Sequence, residues 1–273
     1  AKLPRWVDYG LIPAVNLLVA FIVAGFVGLL VGENPLRAAG ILFKGAFGSG
    51  QNIAYTLFYA TNFIFTGLAV AVAFHAGLFN IGGEGQAYIS GLGVALAALA
   101  LDAYLPWFLT FPVAILAAAA MGAAWAFIPA YLQAKRGSHI VITTIMFNFI
   151  ASSAMVYLLV DVLKPIGSMA PETRTLLPGA HLPKLNWMLE AFGMSVRSAP
   201  LNIAFLLALV MAVVVWALIW RTRLGYEIRT FGFSPKAARY AGISETRIII
   251  VTMMISGALA GMMALNPIMG DQH

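Results

Sequence analysis

The chain has 273 residues, of which 62% are hydrophobic and only 10% charged, with a net charge of +6 and no cysteine. Soluble domains carry about 25% charged residues, so this composition belongs to the membrane class. Disulfides and thiolate metal sites are excluded, and the positive surplus fits lysines and arginines gathered on one membrane face better than a nucleic-acid partner.

In chain order, a short start with Lys2, Arg5 and Asp8 leads into an uncharged run, 11–31. It is longer than a signal-peptide core and lacks a small-residue cleavage site, so it reads as a retained membrane span. Gly28 and Gly32 lie four residues apart, where a second helix can approach closely. Residues 32–52 form a mixed connector whose middle, 36–47, predicts a short interfacial helix. The run 53–74 is a second span, interrupted by Thr61 and Asn62. The run 86–101 is only sixteen residues long, about 24 Å of helix, which is short for about 30 Å of hydrocarbon. Either the bilayer is locally matched to it or this helix begins inside the membrane. Span 106–134 closes on Lys135-Arg136-Gly137, and span 140–160 is bounded by His139 and Asp161. Residues 161–198 are the longest polar connector, nearly charge-balanced and holding four prolines, with a short helix or two expected outside the bilayer. Residues 200–220 and 248–269 are the remaining spans, the last carrying Gly257-x-x-x-Gly261.

Positive charge is densest over 221–247, with Arg221, Arg223, Arg229, Lys236, Arg239 and Arg247 against Glu227 and Glu245. That segment is therefore expected in the cytoplasm, Lys135-Arg136 with it, and 161–198 outside. Seven segments then put the N-terminus inside, provided 53–74 and 86–101 cross separately.

Catalytic motifs are missing: there is no His-Glu-x-x-His, Gly-x-Ser-x-Gly or Gly-x-x-x-x-Gly-Lys, and His75, His139, His181 and His273 are widely separated. No enzyme, bound cofactor or metal is expected. Ionisable residues within the spans are scarce, Glu84 being the main one, which argues against ion-coupled transport and for energy supplied from elsewhere.

Two stretches stand out. Between apolar runs, 73–90 gathers His75, Asn80, Glu84 and Gln86 with four glycines. Non-helical backbone at membrane depth is tolerated where protein buries it or it lines a cavity, so this stretch points to a solute path. Asn80, Glu84 and Gln86 are its candidate residues, joined by Thr143, Thr144 and Asn148 on the 140–160 helix and by Asn62. For each, a capping or back-bonding role is the competing reading. Gly82, Gly83 and Gly85 are expected to permit positive φ and close helix contact. In the basic segment, Ser234 and Pro235 start a short helix over 236–241 that Gly242 ends, and Ser244 caps the final span. This helix reads either as a solvated connector or as a docking element for a groove on a cytosolic partner.

Residues 76–86, Ala-Gly-Leu-Phe-Asn-Ile-Gly-Gly-Glu-Gly-Gln, resemble the signature of ABC-importer permeases of the ribose/branched-chain amino acid superfamily, and in particular its nucleoside and simple-sugar subgroup. Residues 137–148 resemble the family's Gly-x-Asn-Glu-Val-Ile-x-Thr-x-Met-x-Asn, with His139-Ile140 in place of Asn-Glu. Residues 232–243 resemble its cytoplasmic coupling segment, with Ser234 in place of the usual Asn. The resemblance implies an all-α polytopic transmembrane bundle with a broken or re-entrant segment near residues 75–86 and a cytoplasmic coupling helix. It implies ATPase contacts from Arg229, Gly232, Ser234, Pro235, Lys236, Arg239, Tyr240 and Gly242. It further implies a multi-pass protein of the bacterial inner membrane that imports nucleosides or simple sugars by alternating access. Its partners would be an ATP-using cytosolic ATPase, a second permease subunit and an extracytoplasmic solute-binding protein. The family continues with further membrane segments, so residues 1–273 are expected to be one permease domain truncated at its C-terminus. A self-contained channel or secondary carrier is the alternative.

Overall fold

The computed structural model describes residues 4, 6–196 and 198–271, so Lys2, Arg5 and His273 lie outside it. Its regular structure among these residues is helical. A π-turn, Val7–Leu11, runs into α1 (Ile12–Leu30), and Asn34 caps the amphipathic α2 (Pro35–Phe47) by accepting from the Leu36 and Arg37 amides. Ser49 caps α3 (Gly50–His75), and a seven-residue connector leads to α4 (Gly83–Leu101). The long α5 (Trp107–Arg136) stops at Gly137, whose φ of +69° only glycine takes at little cost, and α6 (Ile140–Tyr157) follows, extended by a π-turn to Val162. The polar connector holds a 3₁₀ turn, Pro178–Ala180, and α7 (Asn186–Glu190). Then come α8 (Ala204–Arg221), α9 (Arg223–Phe233), α10 (Pro235–Tyr240), α11 (Glu245–Met262) and α12 (Leu265–Gly270).

Among the described residues seven helices are long and apolar enough to cross a membrane, the last being α11 continued by α12, and 53–74 and 86–101 fall in separate ones. About half of α4 and most of the α11–α12 span is buried, whereas α1 buries nothing. Small residues explain that centre. A methyl group on Gly257 would collide with the Gly122 carbonyl of α5, and one on Gly261 with Ser90 of α4. With lipid as apolar as the helices themselves, this close backbone approach is what binds α4, α5 and α11. Gly28 and Gly32 behave differently from the expectation. Beside Gly28 lies only its own hairpin, and Gly32 takes φ +86° to turn the chain after α1.

Contacts sort the connectors to two ends. At one, Arg174 reaches Asp102, and Gln51 of α3 bonds Ser198. At the other, the turn after α3 lies against Gly232 of α9.

Candidate functional site

The connector between α3 and α4 starts as a helix stop. Gly77, at φ +68°, lets its own amide bond the Phe74 carbonyl and the Leu78 amide bond the Ala73 carbonyl. Residues 78–81 then carry no regular structure. Asn80 Nδ2 donates to Ser256 Oγ of α11 at 2.8 Å, and Ser256 Oγ donates to the Ala69 carbonyl at 2.7 Å. One hydroxyl of α11 thus bridges the Asn80 side chain to the main chain of α3.

The side-chain amides of this turn are all used. Asn80 Oδ1 accepts from the Gly82 amide at 2.9 Å, and Asn80 and Gln86 exchange amide hydrogen bonds at 3.0 and 3.2 Å. Asn148 of α6 accepts from the Gly85 amide at 2.9 Å and donates to the Ile81 carbonyl at 3.0 Å. Asn80 and Gln86 are buried. Thr143 and Thr144 bond back to their own helix, as their competing reading has it. Asn62 accepts from Asn266 Nδ2 at 2.8 Å, in a chain that continues from Asn266 Oδ1 to Asn202 Nδ2 at 2.8 Å.

The structure thus gathers Asn80, Gly82, Gly85, Gln86, Thr144 and Asn148 into one node that holds the connector. Gly82 and Gly85 are the close contacts: methyl groups there would lie 3.1 Å from the Thr144 side chain and 2.9 Å from Asn148. Gly83 faces open space, and none of the three takes the positive φ expected of them, which belongs to Gly77 instead.

Glu84 points away from that node into a cavity of 410 Å³ between α3, α4, α6 and α11–α12, with Thr66, Tyr88, Met155, Met263 and Pro267 around it. Among the described residues it has no hydrogen-bond or ion-pair partner. A second cavity of 580 Å³ shares Gly91, Met155 and Ile268 and ends on 171–176. Together they form a furrow along α4, apolar in its walls, with Glu84 near one end and Glu172 at the other. Asp102 stands by the Glu172 end, where both its oxygens accept from Arg174 at 2.8 Å and one also from the Leu177 amide. The Arg174 guanidinium outweighs burial and holds the Asp102 carboxyl below the usual carboxylate range.

On the opposite side, Thr222 caps α9 and Ser234 caps α10, and the Gly242 amide bonds Arg239 O at φ +76° to end it. Phe233 and Tyr240 are 95% and 94% exposed, with Lys236 and Pro235 also at the surface. Arg239 is held by Glu245 at 2.8 Å, and Arg229 is half-buried, its guanidinium 4.5 Å from the Trp220 ring centre. Gly232 presses on the backbone of His75 and Ala76, so α9 and the α3–α4 connector touch main chain to main chain.

Sequence reasoning missed Ser256, Tyr88, Thr66, Phe233 and the Asp102–Arg174 pair. A lone charge at a helix end and isolated hydroxyls in apolar runs were the available signals.

Seven such helices among the described residues, six of them packed into a bundle that holds a polar node and a furrow, define a multi-pass membrane protein. Residues 52–266 match the family described as branched-chain amino acid transport system / permease component, and the chain belongs to it. These are membrane subunits of transporters, not enzymes. A guanosine ABC transporter permease protein of Bacillus subtilis is 33% identical over 92% of this chain and 70% of its own length. A nucleoside ABC transporter permease protein of Lactococcus lactis is 33% identical over 92% and 68%. A glucose ABC transporter permease protein of Haloferax volcanii is 31% identical over 98% and 70%. No solved structure matches the chain.

Proposed function

We propose that the chain is the permease subunit of an ATP-driven importer that carries nucleosides or simple sugars across the bacterial inner membrane. The relatives named for guanosine, nucleosides and glucose support that solute class. So does the furrow, where the Glu84 carboxylate, the Tyr88 phenol and Thr66 stand among mainly apolar wall residues. A few convergent polar groups in such a wall suit a small polar solute, and the carboxylate of Glu84 accepts from hydroxyl or ring N–H donors.

The observation that carries the reading is the main-chain contact of Gly232 with the His75–Ala76 turn. A cytosolic ATPase that binds ATP and grips α10 moves α9, and α9 pushes the connector that leads to Glu84. Alternating access then follows from a rigid lever: α10 is capped at both ends, and the connector is pinned by Asn80, Gln86 and Asn148. A solute-binding protein delivers to the outer end near Glu172, and a second permease subunit closes the open side of the furrow. ATP is bound by the partner, not by this chain.

The test is uptake of labelled guanosine and glucose by cells carrying the complete transporter. Replacing Phe233 and Tyr240 by Asp leaves the fold alone, since both are exposed, and removes the docking surface. Uptake is expected to fall about tenfold or more, with loss of the co-purifying ATPase, as when a central aromatic anchor is removed. Undiminished uptake, or solute passage in liposomes holding the chain alone, overturns the reading in favour of a channel or carrier.

A further inference from the structure

The last two turns of α8 carry Trp216 and Trp220 on one face, and each has an arginine laid over it. The Arg221 guanidinium is 5.2 Å from the Trp216 ring centre and that of Arg229 is 4.5 Å from Trp220. The His75 ring meets Trp220 edge-on at 5.9 Å. Beneath these rings lies a cleft of 160 Å³ between α3 and α8, walled by Leu68, Ala71, Ala212, Val215 and Ile219.

Charge accounting separates these two arginines from their neighbours. Arg223 is paired with Glu227 at 3.0 Å and Arg239 with Glu245 at 2.8 Å. Arg221 and Arg229 have no acidic partner among the described residues. Arg229 spends only its Nε, on the Gly225 carbonyl, and keeps both Nη groups for another acceptor. Stacking on tryptophan orients a guanidinium without neutralising it. Two such fixed cations, at the end of a membrane-spanning helix and above an apolar cleft, match a ligand with an anionic head and a hydrocarbon tail.

We propose that this is a binding site for an anionic phospholipid. The phosphate is held between Arg221 and Arg229, the tryptophans flank the glycerol, and an acyl chain lies in the cleft between α3 and α8. The lipid would brace α8 and α9 where α9 leans on the α3–α4 connector. A free phosphate ion lacks the tail that the cleft accommodates, so lipid is the source to which the site is fitted.

The test reconstitutes the chain in nanodiscs of phosphatidylcholine with a minority of phosphatidylglycerol, then counts retained lipids by native mass spectrometry after mild extraction. Phosphatidylglycerol is expected to be enriched over its bulk ratio by about fivefold per arginine, the surface attraction of one basic side chain. Arg221→Gln with Arg229→Gln should bring retention to the bulk ratio. Lys135→Gln with Arg136→Gln, which changes two basic residues at the same membrane boundary, should keep the wild-type enrichment. Ala212→Phe fills the cleft without touching charge and should also abolish selective retention. Enrichment that survives the double arginine or Ala212→Phe variant overturns the proposal. So does enrichment lost equally in the Lys135/Arg136 variant, or displaced by millimolar inorganic phosphate.

Discussion

Three glycines in a row of four positions have unlike surroundings, and that difference sets an order of tolerance. An alanine methyl at 85 would come within 3.0 Å of the Asn148 Cα and the Phe147 carbonyl, both fixed main-chain atoms of α6. The α4–α6 contact must open, at about 1–3 kcal/mol for overpacking. At 82 the methyl would meet Asn80 and Gln86 amides at 3.0–3.1 Å, side chains tied into the node. At 83 it meets nothing within 4 Å and gains helix propensity of at most about 1 kcal/mol. Thermal unfolding in detergent should therefore rank Gly83→Ala near wild type and Gly82→Ala and Gly85→Ala clearly below it. Asn148→Leu belongs with the destabilised pair, because it strands the Gly85 amide and the Ile81 carbonyl, about 1–3 kcal/mol for each buried group. Equal melting temperatures for all four variants would mean that the node does not hold the connector.

At the level of elements, the C-terminal end of α4 is fastened to the polar connector by Asp102 and Arg174, and this fastening is expected to depend on pH. The folded carboxyl lies below its unfolded value of about 3.9, so its contribution is complete above that value and disappears as pH falls through the folded one. The melting temperature of wild type should exceed that of Asp102→Asn by a constant margin from pH 8 to about pH 5. The margin should shrink below about pH 4. A margin that closes near neutrality, or persists unchanged to pH 3, contradicts the assignment. Elements of this kind divide sharply in how far the sequence discloses them. Charge-free runs announce all seven spans, and Ser234-Pro235 and Gly242 announce α10, because caps are local chemistry. The helix α9 is not announced: the reading of the basic segment yields a helix only over 236–241, although Thr222 is the cap that starts α9. Gly28 and Gly32 carry the pattern of a helix contact and make none with another span, since spacing states an opportunity and not a partner. The site divides in the same way. Glycines and amides mark 76–86 as non-helical, but that Asn80 finds Ser256, and Asn62 finds Asn266, depends on pairings 176 and 204 residues apart in the chain.

For the molecule as a whole, the contacts already require that Asp102, Arg174 and Gln51 share one end and His75 and Gly232 the other. Charge then says which end is which. With the Gly232 end go Lys135, Arg136, Arg221, Arg223, Arg229, Lys236, Arg239 and Arg247, opposed by Glu227 and Glu245. The other end mixes Arg37, Lys44, Lys164, Arg174 and Lys184 with Glu33, Asp102, Asp161, Glu172 and Glu190. Basic loops stay in the cytoplasm, so the α9–α10 end is expected inside. The native chain has no cysteine, which makes single-cysteine labelling unambiguous. A membrane-impermeant maleimide applied to intact spheroplasts should label Glu172→Cys and Lys44→Cys, and should reach Lys236→Cys only after permeabilisation. The reverse pattern would invert the orientation and remove α10 from reach of any cytosolic ATPase. Labelling of Lys44→Cys and Glu172→Cys from opposite faces would break the span count instead. A chain crossing from Lys44 through α3, α4, α5 and α6 to Glu172 makes four passes, and only an even number returns it to the same side.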